Sequence, residues 1–194
     1  NPLPTRAEVS DVANAIYDRT GCIMLSGETA MGDYPLECVN TMVKVAKSVE
    51  PTINYWKRFT KKDWKIEEAD IESHAAYTTC VTARDIKADA IIDYTHTGNS
   101  ATRLSGYGPA CPIFAITDSE KVYNQLGPVW NVYPILIKDG ADIDDTIEKG
   151  VEKLIELGKL EEGDTAVLCG GPQIMIKEKS KYAVNKTVGG ILKI

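Results

Sequence analysis

Two short stretches place polar groups directly after apolar runs. In the first, Ile23-Met24-Leu25-Ser26-Gly27-Glu28-Thr29-Ala30, the apolar run gives way to two hydroxyls, a glycine and a carboxylate. A strand end that delivers Ser26 and Glu28 in this way can supply an acid and a hydroxyl to a site built from several strands. The second is Thr95-His96-Thr97-Gly98-Asn99-Ser100-Ala101, which follows the apolar segment starting at Ala90. Thr95, Thr97 and Ser100 offer three hydroxyls, and Gly98 allows the backbone to approach an oxyanion closely. A helix starting there adds unpaired N–H groups and a positive dipole end, which together suit a single phosphate group. The spacing is not that of a Walker loop. A plain strand-to-helix turn whose serine and threonines merely cap the helix fits the same pattern, and both readings stand.

A further loop, Gly170-Gly171-Pro172, is followed by Lys177, Lys179, Lys181 and Lys186. These residues could form a basic flap over an anion held by the earlier loop, or simply a solvated lysine-rich segment. The two histidines differ in placement: His74 falls on a helix surface, and His96 faces either the anion or solvent. No metal-ligand spacing is present.

The elements that must position these groups follow from hydrophobic periodicity. Residues 5–19 read as a helix, with Val9, Val12, Ala13 and Ile16 at helical spacing. Cys22–Leu25 reads as a short strand. A second helix opens near Asp33, with Pro35 in its first turn and Leu36, Val39, Val43 and Ala46 along one stripe. Residues 50–67 have no sustained period and read as a linker. Lys57, Arg58, Lys61, Lys62 and Lys65 interleave there with Trp56, Phe59 and Trp64, a pattern compatible with single-stranded nucleic-acid stacking. A solvated connector whose aromatics pin it to a neighbouring surface is the preferred reading.

From residue 68 onward strands and helices alternate. Helices are expected to about Lys87, to about Tyr107, to Leu126 and from Asp142; strands are expected at Asp89–Thr95, Pro112–Thr117, within Val132–Ile137, at Thr165–Cys169 and at Thr187–Ile194. Asp145 stands in the capping-box position relative to Asp142. Apolar strands alternating with helices predict a three-layer α/β/α domain with a mostly parallel sheet. The last strand follows a loop and is expected antiparallel at an edge. The fold class is thus α/β: residues 1–49 form a helix-strand-helix piece, 50–67 a linker and 68–194 the sheet domain.

Composition narrows the function. The 194 residues are 43% hydrophobic and 26% charged, enough to bury a core. A net charge of -6 argues against nucleic acid as a partner. No apolar run approaches the roughly 18 residues of a membrane span. The five cysteines are widely spaced and lie mostly in apolar runs, which favours a reduced, cytoplasmic protein. The chain opens at Asn1-Pro2 rather than a methionine, as a piece of a longer protein would. No internal repeat or low-complexity tract stands out.

Three segments in order, Pro4-Thr5-Arg6-Ala7-Glu8-Val9-Ser10-Asp11-Val12-Ala13-Asn14-Ala15, then IMLSGETA, then Gly32-Asp33-Tyr34-Pro35, resemble pyruvate kinase. The downstream half is similar to that family's C-terminal domain, including T-x-T-G-x-S-A and Ile113–Thr117. The resemblance implies that residues 1–49 are the end of a (β/α)8 barrel, with Ser26 and Glu28 near the parent's active site. The parent reaction moves phosphate from phosphoenolpyruvate to ADP, giving pyruvate and ATP in glycolysis with Mg²⁺ and K⁺. The resemblance places the family's lysine base and its metal and potassium ligands upstream of Asn1, so that no complete catalytic site and no metal is held by this chain alone.

It further implies that residues 68–194 are an allosteric and oligomerising domain of a cytoplasmic homotetramer. Thr95, His96, Thr97, Gly98, Asn99 and Ser100 would hold the phosphate of a sugar phosphate or nucleotide monophosphate effector, with Gly170, Gly171, Lys177 and Lys179 as a flap. Three departures from the family pattern bear on this. Met31 stands where lysine is common, Gly108 replaces an arginine, and residues 138–150 lack the tryptophan and arginine of bisphosphate-regulated members. A monophosphate effector, or none, is therefore favoured. A free-standing phosphometabolite-binding module and a structural assembly domain are the alternatives.

Overall fold

A computed structural model describes residues 3–68, 70–170, 183–185 and 191–193. The chain divides into two compact units, Asn1–Asn54 and Tyr55–Ile194.

In the first unit, α1 (Arg6–Tyr17) begins at a full capping box. The Glu8 N–H donates to Thr5 Oγ1 at 3.3 Å, and Thr5 N donates back to Glu8 Oε2 at 2.7 Å. A short turn of helix, α2 (Gly27–Ala30), follows, and α3 (Pro35–Val49) starts with proline where its missing N–H costs nothing. Helices α1 and α3 pack on each other. Cys22–Leu25, expected as a strand, takes part in no ladder among the described residues. A strand exists only with a partner for its N–H and C=O groups, and apolar sequence alone does not supply one. Met24 is 84% exposed and Leu36 74%, with Val39 and Val43 about half exposed.

The second unit opens with α4 (Tyr55–Lys61) and α5 (Ile71–Asp85), the latter capped by Asp70, whose carboxylate accepts from Ser73 N at 3.0 Å. Then come β1 (Ala90–Tyr94), α6 (Asn99–Tyr107), β2 (Ile113–Thr117), α7 (Glu120–Leu126), β3 (Val132–Leu136), α8 (Ile143–Glu156) and β4 (Thr165–Gly170). Two short strands, β5 (Ala183–Asn185) and β6 (Ile191–Lys193), complete the sheet. Its order is β3-β2-β1-β4-β6-β5. β1 pairs in parallel with β2 and β4, and β2 with β3. The last strand runs antiparallel as expected, but it lies inside the sheet between β4 and β5, and β5 forms the edge. Of the expected span 187–194, residues 191–193 form β6 and the others lie outside the described residues.

Period-two alternation divides the core. Ile91, Ile113, Ala115, Val167 and Cys169 point to the layer containing α5 and α6, whereas Ile92, Phe114, Ile116, Ala166 and Leu168 point to α8. On α5 the small buried residues Ala76, Thr79, Cys80 and Ala83 let the helix lie close to β1 and β4. On α8, Ile147, Val151 and Leu154 are buried as the spacing predicts, and Ile143 is partly buried. The start of α8 is a displaced capping box. Asp142 accepts from Asp145 N at 2.9 Å, while the Asp145 carboxylate reaches past it to Ala141 N at 2.8 Å.

Helix α8 meets β2 at Gly150. A methyl group there would lie 2.8 Å from Ile116 Cγ1 and closer still to Cδ1, and Ile116 is fully buried. Overpacking costs about 1–3 kcal/mol, against about 1 kcal/mol of helix propensity gained. Gly150→Ala is therefore expected to lose roughly 1 kcal/mol net, read as a lower urea midpoint at unchanged slope. A raised midpoint would show that Ile116 yields freely.

Residues 50–67 are more ordered than a linker. They hold a 3₁₀ turn (Glu50–Thr52) and α4, and Phe59, Trp56, Trp64 and Ile66 pack into the α5/α6 layer. Trp64 Nε1 donates to the Phe59 carbonyl at 2.9 Å. The aromatic pin expected of a connector is thus part of the core of the second unit. No helix of the described residues is long and apolar enough to cross a membrane.

Candidate functional site

The sheet turns around β1. The chain runs from β1 outward to β2 and β3, then returns with β4 on the other side of β1. In open parallel sheets the crevice outside the carboxyl ends of the strands at such a reversal is where ligands bind. The loop 95–100 leaves β1 at this point.

Each of its side chains has a distinct place. Thr95 is buried and folded inward, its Oγ1 accepting from Gly98 N at 2.9 Å and closing a tight turn. Gly98 is left-handed (φ 83°) and caps α6; a Cβ there would meet Val122 and Leu126 of α7 at 3.3 Å. Thr97 is exposed, with Asn99 N only loosely engaged at 3.4 Å from its Oγ1. The first intrahelical bond runs from Thr102 N to the Gly98 carbonyl at 3.1 Å. The N–H groups of Ser100 and Ala101 therefore stand in the first turn, ahead of the helical ladder. His96 is exposed and its Nδ1 lies 3.0 Å from Asp118 Oδ1 at the end of β2. Ser100 donates its hydroxyl to Asp93 Oδ2 at 2.8 Å.

Of the three hydroxyls that the sequence offers, Thr97 faces outward, Thr95 shapes the turn and Ser100 is held from below. Asn99 is exposed beside Thr97. Gly170 ends β4 beside Tyr94 in the register, so the loop after β4 starts next to the loop after β1. Gly171, Lys177 and Lys179 of the expected flap, with Lys181 and Lys186, lie outside the described residues. Arg103 on α6 turns away to Asp70 and Glu72, both at 3.1 Å.

Sequence reasoning missed two residues of this site, Asp93 and Asp118. Asp93 is the fourth of the five residues of the apolar strand Ala90–Tyr94 and is completely buried. Its Oδ1 has no hydrogen-bond partner. Burial pushes its carboxyl up to about 7, partly opposed by hydrogen bonds from Ser100 and, more weakly, the Cys169 thiol. A charged residue type within a buried parallel strand was the signal available for it. Asp118 has no such signal, because only the parallel register of β1 and β2 brings it to His96.

In the first unit, Ser26 N donates to Glu28 Oε2 at 2.9 Å, and backbone hydrogen bonds, Glu28's own N–H and that of Ser26, hold the carboxyl below the usual carboxylate range. The carboxylate is thus engaged with the start of α2. No group of three or more His, Cys, Asp or Glu among the described residues could hold a metal ion. No step through Mg²⁺ or K⁺ is assigned to the described residues.

Comparison with known proteins finds relatives over both units of the chain. Residues 73–182 match the model of the pyruvate kinase alpha/beta domain, and residues 1–39 that of the pyruvate kinase barrel domain. A pyruvate kinase of Clostridium acetobutylicum is 43% identical over 171 residues, covering 88% of this chain and 36% of that protein. One from Thermotoga maritima is 39% identical with the same coverage. A crystal structure of pyruvate kinase from Cryptosporidium parvum superposes with a TM-score of 0.78 at 31% identity, over 88% of this chain and 35% of that one. The chain spans about a third of the length of these relatives.

Proposed function

The chain belongs to the pyruvate kinase family, and from that premise we propose that it is the C-terminal part of such an enzyme, acting in regulation and assembly. The whole protein would be a glycolytic transferase of the cytoplasm that moves the phosphoryl group of phosphoenolpyruvate to ADP, yielding pyruvate and ATP. Mg²⁺ and K⁺ would be held by residues of the remaining barrel. Residues 1–49 would add Ser26 and Glu28 to the mouth of that barrel. The exposed Leu36, Val39 and Val43 along α3 are the surface on which its other elements would pack. By itself the chain of 194 residues would not catalyse the reaction. ATP formation from phosphoenolpyruvate and ADP by the purified chain would overturn this.

For the sheet domain, we propose that the loop 95–100 holds the phosphate group of a sugar phosphate or nucleotide monophosphate effector. One observation carries this: at the reversal of the sheet, a left-handed Gly98 opens α6 with its first N–H groups ahead of the ladder and the Thr97 hydroxyl beside them. The dipole end and hydroxyls supply hydrogen bonds to an anion, each worth about 1.5–3 kcal/mol when the partner is charged. Calorimetric titration with glucose 6-phosphate and with AMP tests it. The double variant Thr97→Ala, Ser100→Ala is expected to weaken binding by about tenfold or more. Equal affinity in the variant would remove the loop from consideration.

The second reading is a free-standing phosphometabolite-binding module. It draws on the compactness of residues 55–194 as a unit of their own. Restoring an upstream barrel separates the two: regulated turnover in the longer protein supports the enzyme part, and binding without any effect on turnover supports the module. A homo-oligomer that forms while no anion binds would leave only a structural assembly role.

A further inference from the structure

Asp93 is, among the described residues, the completely buried carboxyl, which the proposed function does not use, and it touches the loop through the Ser100 hydroxyl. Its strand neighbours in the register are Ala115 on β2 and Cys169 on β4. Ser100 Oγ lies 2.8 Å from Oδ2, and Oδ1 has no partner. We propose that the protonation of Asp93 governs the anion affinity of the loop 95–100, by setting which way the Ser100 hydroxyl directs its proton. This rests on the loop being an anion site.

The argument follows from the donor inventory. A serine hydroxyl carries one proton and two lone pairs, and an ionised carboxylate only accepts. When Asp93 is ionised, Ser100 must give its proton inward, and it offers only lone pairs to an arriving phosphate oxygen. When Asp93 is protonated, the acid donates to Ser100 Oγ, and the hydroxyl proton turns outward to the ligand. Ionisation also leaves a buried negative charge beneath an anion, where screening by water is weak. Both effects have the same sign: anion binding favours the protonated acid, and by linkage a bound anion holds the proton on Asp93.

Among the described residues, Asp93 is the buried carboxyl on this face of the sheet. The packed elements bring Thr79 and Cys80 from α5, Ala101 from α6, Ala115 from β2 and Cys169 from β4. The thiols are the titratable groups among them, and burial pushes the Cys169 thiol up to about 12. The Asp93 carboxyl, pushed up to about 7 by its burial, titrates within the physiological range. The His96–Asp118 pair stands on the exposed rim of the same loop and is the second group that must be controlled for.

Sulfate is the suitable probe, because phosphate monoesters lose their own second proton in the same pH window. Sulfate affinity of the full chain, measured by amide chemical-shift titration at pH 6 and pH 8, is expected to be about tenfold tighter at pH 6, the ratio of the protonated fractions. Asp93→Asn, whose amide can donate to Ser100 at every pH, should bind equally at both, near the low-pH affinity of the parent chain. His96→Gln should keep the tenfold ratio. A ratio unchanged in Asp93→Asn, or flat binding in the parent chain, overturns the inference while leaving the anion site intact. Absence of sulfate binding at both pH values overturns the anion site and this inference with it. Should Asp93→Asn fail to fold, the carboxyl carbon shift of Asp93 in the parent chain decides: its titration midpoint must rise at saturating sulfate, and an unmoved midpoint overturns the proposal.

Discussion

Replacing Phe59 by alanine is expected to cost the second unit about 3–5 kcal/mol of stability, the range for removing a buried aromatic ring. Phe59 is 1% exposed, and its ring lies 5.5 Å from that of Tyr77, 5.8 Å from Trp64 and 6.0 Å from Trp56. The Arg84 guanidinium stands 5.6 Å from the ring centroid. Truncation therefore loses the transferred ring, several ring–ring contacts and a cation–π contact, and leaves a cavity that neighbouring rings fill poorly. All three tryptophans, Trp56, Trp64 and Trp130, belong to residues 55–194, so their fluorescence follows unfolding of this unit alone. A loss below about 1 kcal/mol would mean that α4 is docked loosely and that 50–67 behaves as the linker its composition suggests.

That contrast shows where sequence was sufficient. Periodicity locates α5, α6, α7, α8 and the parallel strands because each buries a face whose pattern is set locally, by period two or by helical stripes. Phe59 and its neighbours have no such pattern. Their burial depends on the α5/α6 layer of residues distant in sequence, so aromatic residues among lysines look the same whether they dock or remain in solvent. Cys22–Leu25 fails for the opposite reason: the local sequence suits a strand, but a strand needs a partner, and none pairs with it among the described residues.

The loop divides in the same way. Gly98 and the hydroxyls of Thr95, Thr97 and Ser100 were legible, because turn residues carry their conformational reasons with them. Their separate tasks were not. That Thr95 closes the turn, Thr97 faces outward and Ser100 is held by Asp93 depends on which side of β1 each residue meets. The position of the last strand shows a further limit. Its antiparallel direction follows from the preceding loop, whereas its place inside β5 required a partner strand, Ala183–Asn185, too short to show a period.

Raising the pH from 5 to 8 is expected to remove about 3 kcal/mol of stability from the second unit through Asp93 alone, out of roughly 4 kcal/mol over its whole titration. The folded-state value of about 7 lies about three units above that of an unfolded aspartate, and its cause is complete burial, only partly opposed by hydrogen bonds from Ser100 and the Cys169 thiol. Between the two values the folded chain holds a proton that the unfolded chain has shed. Stability contributed by the neutral acid is thus full below the unfolded value, falls as pH rises through the window, and levels off above the folded value. Asp70, Asp145 and Glu120 act with the opposite sign, since hydrogen bonds hold their carboxyls below the ordinary range. Their contributions are lost only as pH falls through those lowered values, so they do not offset the change between pH 5 and 8. Urea unfolding followed by tryptophan fluorescence at a series of pH values measures the slope, and Asp93→Asn should flatten it. An equally steep loss in that variant would assign the dependence to another group, and would mean that water reaches Asp93 Oδ1 often enough to keep the carboxyl ionised in the folded state.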